Sequence, residues 1–444
     1  MAQVDAGSPG GSRGIVPMVL TALAVRLLVL TASHAYQIPA DRDFFAFGGE
    51  MGRIARAIVM GEGFSSPLHG QTGPTAMVGP IYPLLIAAVF KIFGIYTTTS
   101  AWVMLALNSL FSALTSVPIV ALGDRMFGGR VGRLAGWTWV FFPYAIYWPL
   151  RWIWDTSLSS LLLALLMLAA MSLPNSRRIL PWTGFGLLWA LAVLTNTTLI
   201  VLFPFTLAWL CYEVRDHWVA PAAAAVVAFA VGIAPWMAHN HAVFGRVVLR
   251  SNLGLELYQG NYPGATGLRA WQLDPAFNQA EMDKYRRIGE LPYMDEKQRE
   301  AWQFIKGHPG TFAVLTLRRV IYFWTGTSEI VVPDHLLLSL ACYSLVSALA
   351  FIGLGRALRR SEPGAWLMAA VLIIYPLPYY ITHPEPRFRH LIEPEMVILG
   401  VYALAAVPSL ARMGFPIALG GPGARSLVEE QNRQQPDKQR VSHI

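Results

Sequence analysis

Long apolar stretches separated by short polar turns dominate the hydrophobic pattern of this chain. About ten of them approach the length of roughly 20 residues with which an α-helix crosses a bilayer, so we expect helices rather than a barrel. The pattern predicts an all-α polytopic membrane protein with about ten transmembrane helices. The predicted spans are residues 15–33, 98–122, 131–147, 156–173, 182–194, 199–212, 219–237, 335–354, 365–381 and 396–410.

Two long polar segments, residues 36–97 and 238–334, interrupt the apolar runs. In the first, residues 51–60 carry apolar side chains on one helical face, which is typical of a helix lying at a membrane surface. A loop rich in glycine and proline follows. A second short apolar helix then runs to Phe93, where Gly94 ends it. The first segment is therefore predicted to hold two juxtamembrane helices around a shaped loop.

The second polar segment is predicted to have mixed structure. A short apolar strand is expected at residues 247–249, followed by one or two helices over 278–306 with a break near 291–292. Residues 311–324 have an apolar face and paired arginines, which favours another interfacial helix. We expect this segment to cap a site and shape access to it.

Composition agrees with a membrane protein and gives its orientation. The chain is 55% hydrophobic and 14% charged, with a mean hydropathy of +0.45, which is too apolar for a soluble domain. Its net charge of +8 comes mostly from arginines in short loops, and such loops stay in the cytoplasm. This predicts cytoplasmic tails at 1–14 and 413–444 and a transmembrane domain at 15–412, with both long segments outside a bacterial inner membrane. The sequence has no basic, aromatic-rich stripe, so we expect no nucleic-acid partner.

Cysteines and histidines indicate no metal or redox chemistry. Cys211 and Cys342 are the two cysteines and both fall in predicted helices, so neither a disulfide framework nor a thiolate metal site is expected. His383 and His390 have no metal-binding spacing to a carboxylate. We therefore predict neither a metal nor another cofactor.

Short motifs along the chain resemble those of a known family. The motifs are Glu50 ahead of Ile54-Ala55-Arg56, Gly61-Glu62-Gly63-Phe64, Gly73-Pro74-Thr75-Ala76, Pro80-Ile81-Tyr82-Pro83, Phe93-Gly94, Phe127-Gly128, residues 252–261 and Arg387-Phe388-Arg389. Together they resemble the polytopic glycosyltransferases of the GT-C fold, which include protein O-mannosyltransferases and the bacterial aminoarabinose transferase of lipid A. The resemblance implies transfer of a sugar from a polyprenyl-phosphate carrier to a lipid, glycan or protein acceptor at the outer face.

The resemblance also implies an acidic residue of the first outer loop beside the acceptor. A carboxylate there can remove the proton of the attacking hydroxyl, and such a base contributes about two to four orders of magnitude in rate. Glu50 is the first candidate because its separation from Pro80 along the sequence is close to the family's spacing between the loop carboxylate and the corresponding proline. The family residue is usually aspartate, so Asp43 is the second candidate. Alternatively, Glu50 pairs with Arg53 or Arg56 along its helix.

The turn before the last span concentrates basic residues on the predicted outer side, against the positive-inside bias. Arg387 and Arg389 lie there, with His390 beside them. Arginine suits a phosphate leaving group because its planar fork matches phosphate oxygens and stays protonated. We predict that these three residues bind the donor. The alternative is that they reach lipid headgroups or pair with Glu385 and Glu393.

Four further positions are candidates of a weaker kind. Arg151 lies four residues before Asp155 in a tryptophan-rich outer turn, which suits either substrate binding or an interfacial aromatic belt with a helix cap. Tyr82 belongs to the Pro-Ile-Tyr-Pro motif. Asn261 can hydrogen-bond a sugar hydroxyl or simply build a turn. Arg26, inside the first span, is either functional or a residue that reaches the interface.

Two other function classes remain open. A transporter or flippase for a lipid-linked or envelope substrate would have the same composition, but transporters place their charges near the midplane on broken, repeated helices. Here the polar residues collect at the predicted outer surface and no repeat is evident. A non-catalytic envelope scaffold could share the fold after losing its base. Membrane lipids are expected partners in every case.

Overall fold

The computed structural model describes residues 14–38, 46–176, 178–327 and 336–405, and all regular structure in these ranges is helical. The α-helices are α1 (Ile15–Ala32), α2 (Glu50–Val59), α3 (Ile81–Phe93), α4 (Thr98–Leu114), α5 (Ser116–Phe127), α6 (Gly129–Phe141), α7 (Pro143–Arg151), α8 (Thr156–Ser172), α9 (Ile179–Thr195), α10 (Phe203–Val214), α11 (Val219–Phe244), α12 (Leu253–Gly260), α13 (Gln279–Ile288), α14 (Glu290–Gly307), α15 (Pro309–Thr325), α16 (Leu336–Arg359), α17 (Ala365–Ile374), α18 (Leu377–Ile381), α19 (Pro386–His390) and α20 (Glu393–Ala405). Short 3₁₀ helices at Leu173–Asn175, Thr197–Leu202 and Trp271–Leu273 complete them.

Six helical stretches within the described ranges are long and apolar enough to cross a bilayer, so the chain is a multi-pass membrane protein. They are Ile15–Ala32, Thr98–Phe127, Thr156–Asn175, Thr197–Val214, Val219–Phe244 and Ser339–Arg359. Ile81–Phe93, Ile179–Thr195 and Ala365–Ile381 are shorter apolar helices. The described residues thus contain fewer such stretches than the ten or so spans predicted.

Two of the predicted spans show why the count differs. The run at 131–147 is not one helix, because Pro143 begins α7 and the residue before it, Phe142, is extended (φ −65°, ψ 120°), as the residue before a proline prefers. The run at 396–410 is helical to residue 405, and the rest lies outside the described residues. In the other direction, α11 continues to Phe244, beyond the predicted end at 237.

The second polar segment differs from its prediction. No strand forms at 247–249, and the described part of the segment consists of helices and turns. The helical break falls at Gly289 (φ 82°) rather than at 291–292. Pro292 lies in the first turn of α14, where a proline does not remove an intrahelical hydrogen bond. The mixed structure expected from the sequence is thus replaced by helices α12 to α15.

The two polar segments pack together into one unit, the loop layer (residues 46–97 and 245–327). The Ser251 amide donates to the Ala76 carbonyl at 2.9 Å, and Arg250 Nε donates to the Met77 carbonyl at 2.8 Å. A buried apolar cluster joins the same segments through Leu68, Met77, Leu255, Met282, Tyr285, Tyr293 and Met294. The loop layer therefore has its own small apolar core.

Glu290 is the polar centre of this joint. The side chain is only 4% exposed, yet no cation pairs with it among the described residues. Its Oε1 accepts from the Ala76 amide and from the Ser251 hydroxyl, both at 2.7 Å, and its Oε2 accepts from the Tyr285 hydroxyl at 2.8 Å. Three donors from three parts of the chain therefore depend on one carboxylate.

We expect Glu290→Ala to loosen the loop layer. Each buried donor left without an acceptor costs about 1–3 kcal/mol, so the free energy of unfolding should fall by at least that amount. Thermal unfolding of the detergent-solubilised protein measures the loss. Glu296→Ala is the matched control, because Glu296 makes a part-exposed ion pair with Lys284 and such pairs contribute little. Equal melting temperatures for the two variants would contradict the role assigned to Glu290.

Arg26, deep in α1, is explained by packing. Its guanidinium is fully buried and donates to the Ser112 hydroxyl at 3.0 Å. It also donates to four backbone carbonyls, those of Ala22, Trp139, Val140 and Ala145. These bonds join α1 to α4, α6 and α7. The charge of Arg26, whose role the sequence did not decide, is therefore held by backbone carbonyls near the point where α6 and α7 meet.

Candidate active site

A pocket forms where four separate parts of the chain meet at one end of the helical bundle. Its walls come from the start of α2, the turn before α8, the loop after α12 and the turn that begins α19. It is lined by Gly49, Glu50, Trp152, Trp154, Arg269, Trp271, Glu385 and Arg387. Glu50 and Arg387, two of the residues predicted from the sequence, therefore face the same cavity.

Glu50 owes its position to the glycines before it. Gly48 and Gly49 both have positive φ (87° and 55°), which favours glycine. A side chain at Gly48 would also strike the Ile153 carbonyl, since an added Cβ would lie 2.4 Å from that oxygen. The Ile153 amide donates to the Ala46 carbonyl at 3.0 Å. This close contact places Glu50, the first residue of α2, directly beside the two tryptophans that flank Ile153.

The surroundings of Glu50 favour its neutral form. Burial raises the pKa of the Glu50 carboxyl, and the negative charge of Asp274 raises it further. Arg269 acts in the opposite direction, and Glu256 adds a smaller upward effect. A carboxylate with a raised pKa is a stronger base, which is the property that proton abstraction from a hydroxyl requires.

Arg269, another lining residue, is held by a set of polar contacts. Its Nε donates to Gln259 Oε1 at 2.9 Å, and its Nη2 donates to Asp274 Oδ2 at 2.8 Å. Its Nη1 lies 3.5 Å from Glu385 Oε1. The guanidinium also stacks over Trp271, with Cζ 4.1 Å from the ring centroid. Arg269 is thus a fixed cation whose orientation is set from three sides.

Arg387 is positioned by its own turn and by aromatic rings. Its Nε forms a 2.7 Å ion pair with Glu385 Oε2. Its Cζ lies 4.2 Å from the centroid of Trp154 and 4.9 Å from that of Phe388. Glu385 therefore stands between two arginines, Arg269 and Arg387, and holds both at the pocket wall. A guanidinium held by its faces and its Nε in this way presents its terminal N–H edge to an anionic ligand.

A second acidic residue, Glu256, lies outside the pocket lining and contacts residues next to it. Glu256 Oε2 accepts from His383 Nε2 at 2.7 Å, and Glu256 Oε1 accepts from Asn252 Nδ2 at 2.7 Å. Burial acts to raise the pKa of Glu256, but the hydrogen bond from His383 and the charge of Arg269 hold it well below its usual range. Glu256 is thus a permanent negative charge that links α12 to the turn before α19.

Five of the predicted residues lie outside the lining of this pocket: Tyr82, Asn261 and Arg151, and the neighbouring pair Arg389 and His390. Tyr82 is fully buried and donates from its hydroxyl to Asn108 Oδ1 at 2.8 Å. Asn261 is fully buried and donates from Nδ2 to the carbonyls of Leu257 and Ile381. Arg151 is exposed, with Cζ 5.1 Å from the ring centroid of Trp152. The structure thus gives these side chains packing and surface contacts, and their roles toward a substrate stay predictions.

Arg389 and His390 form a separate buried group. Arg389 Nη1 donates to Glu393 Oε1 at 3.0 Å, and His390 Nδ1 lies 2.5 Å from Glu393 Oε2. All three side chains are fully buried, and the His390 ring stacks on Trp139 with centroids 5.7 Å apart. Pairing with Glu393, the alternative considered from the sequence, is what the structure shows for Arg389. Asp43, the other candidate base, lies outside the described residues.

Asp155 occupies the N-cap position of α8, one alternative considered from the sequence, but its side chain makes no capping hydrogen bond to the backbone. Its Oδ2 instead accepts from Asn196 Nδ2 at 2.9 Å and from the Ser159 hydroxyl at 3.2 Å. The side chain is 2% exposed, and the charge of Arg387 acts on it from the pocket. Asp155 thus adds to the buried acidic side of the site.

Sequence reasoning did not propose several lining residues as parts of a site: Trp152, Trp154, Arg269, Trp271 and Glu385. In the sequence, the tryptophans before α8 are typical of an aromatic belt at the membrane interface, and Glu385 is considered only as a partner of the nearby arginines. The local signal for Arg269 is its neighbour Trp271, and it is weak. Across the described ranges, no group of three or more His, Cys, Asp or Glu side chains is arranged to hold a metal ion. The absence of a cofactor stays a prediction.

Comparison with solved structures identifies the fold. The crystal structure of the Archaeoglobus fulgidus oligosaccharyltransferase in complex with zinc and sulfate is similar to this chain, with a TM-score of 0.50 and 14% identity. That match covers 89% of this chain and 49% of the archaeal one. Its apo form also gives a TM-score of 0.50 and 14% identity, covering 91% and 51%. ArnT from Cupriavidus metallidurans bound to undecaprenyl phosphate gives a TM-score of 0.38 and 12% identity, covering 90% and 78%.

No protein-family model matches this chain, and no curated protein matches it. The archaeal match shows the fold, so the GT-C architecture expected from the motif resemblance is confirmed. This chain spans about half the length of those archaeal structures. A fold does not determine an activity, so the reaction depends on the side chains of the pocket.

Proposed function

We propose that the protein is a membrane glycosyltransferase that moves a sugar from a polyprenyl-phosphate carrier to an acceptor hydroxyl. The observation that carries this proposal is the pocket that Glu50 and Arg387 share, which is also lined by three tryptophans. One residue suits the base and the other suits the leaving phosphate. The archaeal proteins that share the fold are named as oligosaccharyltransferases, which supports the same class of reaction.

The reaction follows from the chemistry of these two groups. The acceptor hydroxyl gives its proton to Glu50 while its oxygen forms a bond to the anomeric carbon. The bond from that carbon to the phosphate oxygen breaks, and the phosphate keeps the electron pair. Arg387 stabilises the charge that grows on the phosphate. Attack opposite the leaving phosphate inverts the anomeric centre.

The pocket has the composition of a small-molecule site. Trp152, Trp154 and Trp271 provide flat apolar walls, and a few charged groups fix orientation. Two of its lining residues, Trp152 and Trp154, lie just before α8, which belongs to a candidate span. The cavity measures only about 20 Å³, so we propose that the pocket widens to admit the head of a lipid-linked donor while its chain stays in the bilayer.

We also propose the orientation and organisation read from the sequence. Residues 15–412 would form one transmembrane domain in a bacterial inner membrane, with cytoplasmic tails at 1–14 and 413–444. The pocket would face the extracytoplasmic side. Helix α16 supports this orientation. The Tyr343 carbonyl near its start accepts a hydrogen bond from Arg389, which is two residues from the pocket residue Arg387. Arg356 and Arg359 lie at the other end of the helix, and arginines at the end of a span favour the cytoplasmic side.

The test is binding and turnover of the donor in nanodiscs. Polyprenyl phosphate with and without a hexose head is titrated onto the purified protein, and release of the sugar is followed. Saturable binding that requires the phosphate, together with sugar release or transfer, is the expected result. A flippase would move the lipid between leaflets without breaking the sugar–phosphate bond, and a scaffold would do neither. Either outcome would overturn the proposal.

The acidity of the site gives a further expected result. Because a base must be deprotonated to act, the transfer rate should fall as pH drops through the raised pKa of Glu50, above the ordinary value of 4.5. Glu256→Gln removes a negative charge that helps to raise this pKa, so the acid limb should move to lower pH. Rate profiles of both proteins measure the shift. Asp283→Asn, an exposed acid of α13, is the control, and an acid limb that does not move in Glu256→Gln would argue against this coupling.

A further inference from the structure

A second groove, separate from the pocket, lies at the C-terminal end of α16. It is lined by Phe351, Ile352, Gly355, Arg356, Arg359 and Arg360. The segment Ser339–Arg359 is a candidate membrane span, so this groove is found where a span leaves the bilayer. None of its residues belongs to the pocket around Glu50.

The groove combines an apolar wall with a basic rim on one helical face. Ile352, Arg356 and Arg359 follow each other at the i, i+4, i+7 spacing of a single face. Phe351 and Ile352 are 40% and 60% exposed, as expected for side chains that contact acyl chains. Gly355 leaves open space at the floor of the groove, because an added Cβ there would meet no heavy atom within 4 Å.

In the described part of the chain, the positive charge of the rim is only partly balanced by acidic side chains. Glu362 is the neighbouring acid, and it accepts a hydrogen bond from the Tyr402 hydroxyl at 2.9 Å. The Arg356 guanidinium lies over the Tyr402 ring, with 5.5 Å from Cζ to the centroid. Its Nε is buried and has no hydrogen-bond partner. Among the described residues, three arginines and one glutamate leave an excess of positive charge at the edge of an apolar surface.

We propose that this groove binds an acidic phospholipid of the adjacent leaflet. The phosphate lies among Arg356, Arg359 and Arg360, the glycerol fills the space at Gly355, and an acyl chain follows Phe351 and Ile352. A soluble anion would use the arginines but not the apolar wall. Basic side chains at the end of a span attract anionic headgroups, and each adds measurably to binding near the membrane surface.

Lipid titration followed by native mass spectrometry tests this site on the full chain. Phosphatidylglycerol is expected to bind in preference to phosphatidylcholine. Replacing Arg356, Arg359 and Arg360 by glutamine should weaken phosphatidylglycerol binding by about fivefold for each arginine removed. Gly355→Leu should also weaken it, by filling the floor without removing charge, and leucine favours the helix.

Matched variants separate this site from general effects of charge and packing. Arg287, Arg299 and Arg318 are exposed arginines elsewhere, so their triple glutamine variant loses the same net charge. Gly184 is a helical glycine of α9 with the same open surroundings, so Gly184→Leu controls for Gly355→Leu. Equal phosphatidylglycerol binding by the groove variants and their controls, or displacement by inorganic phosphate, would overturn the proposal.

Discussion

Glu50→Gln is expected to lower the rate of sugar transfer by about two to four orders of magnitude while leaving donor binding nearly unchanged. Glutamine has the shape of glutamate, so the pocket and the turn at Gly48 and Gly49 should stay intact. It cannot take up the proton of the acceptor hydroxyl. The loss should therefore appear in the chemical step, measured as single-turnover transfer with saturating donor.

Glu62→Gln is the matched control for this experiment. Glu62 belongs to the same loop layer, is exposed, and accepts a hydrogen bond from Gln71 at 3.3 Å. It does not line the pocket. Transfer by this variant should equal that of the natural chain. If Glu50→Gln retained full activity, Glu50 would have no part in the reaction, and Asp43→Asn would become the variant to test.

The helical elements followed from the sequence wherever local chemistry determines them. The helix predicted to end at Phe93 does so, because Gly94 adopts a positive φ of 92° that few other residues tolerate. The break in the second segment was placed two residues too late, since Pro292 looked like the interruption while Gly289 provides it. Proline in a first turn and proline at a break look alike in sequence.

The pocket was harder to predict because its members meet only through tertiary contacts. Arg269 and Glu385 are far apart along the chain, and nothing local indicates that their side chains come within 3.5 Å of each other. The turn at α19 shows a related limit. Arg387 and Arg389 are two residues apart, so they point to different sides of a helical turn. One faces the pocket and the other is buried against Glu393, yet the sequence presents them as equivalents.

Arg387→Ala is expected to weaken binding of the polyprenyl-phosphate donor by about ten- to a hundredfold, the range for losing a charged hydrogen-bond donor. The guanidinium is held by Glu385 and by the face of Trp154, so its orientation toward the phosphate is already fixed before the donor arrives. Arg387→Lys keeps the charge but loses the planar fork, so it should recover part of the affinity. Titration of the donor into nanodiscs measures all three proteins.

Arg151→Ala is the control that distinguishes phosphate binding by Arg387 from a general attraction of lipids to a basic surface rich in tryptophan. Arg151 stacks on Trp152, which also lines the pocket, but Arg151 itself is exposed and outside the lining. Its loss should leave donor affinity unchanged. If Arg387→Ala and Arg151→Ala weakened binding equally, the attraction would come from the surface as a whole. If neither did, the phosphate would bind elsewhere, and Arg387 would serve only to hold Glu385 beside Arg269.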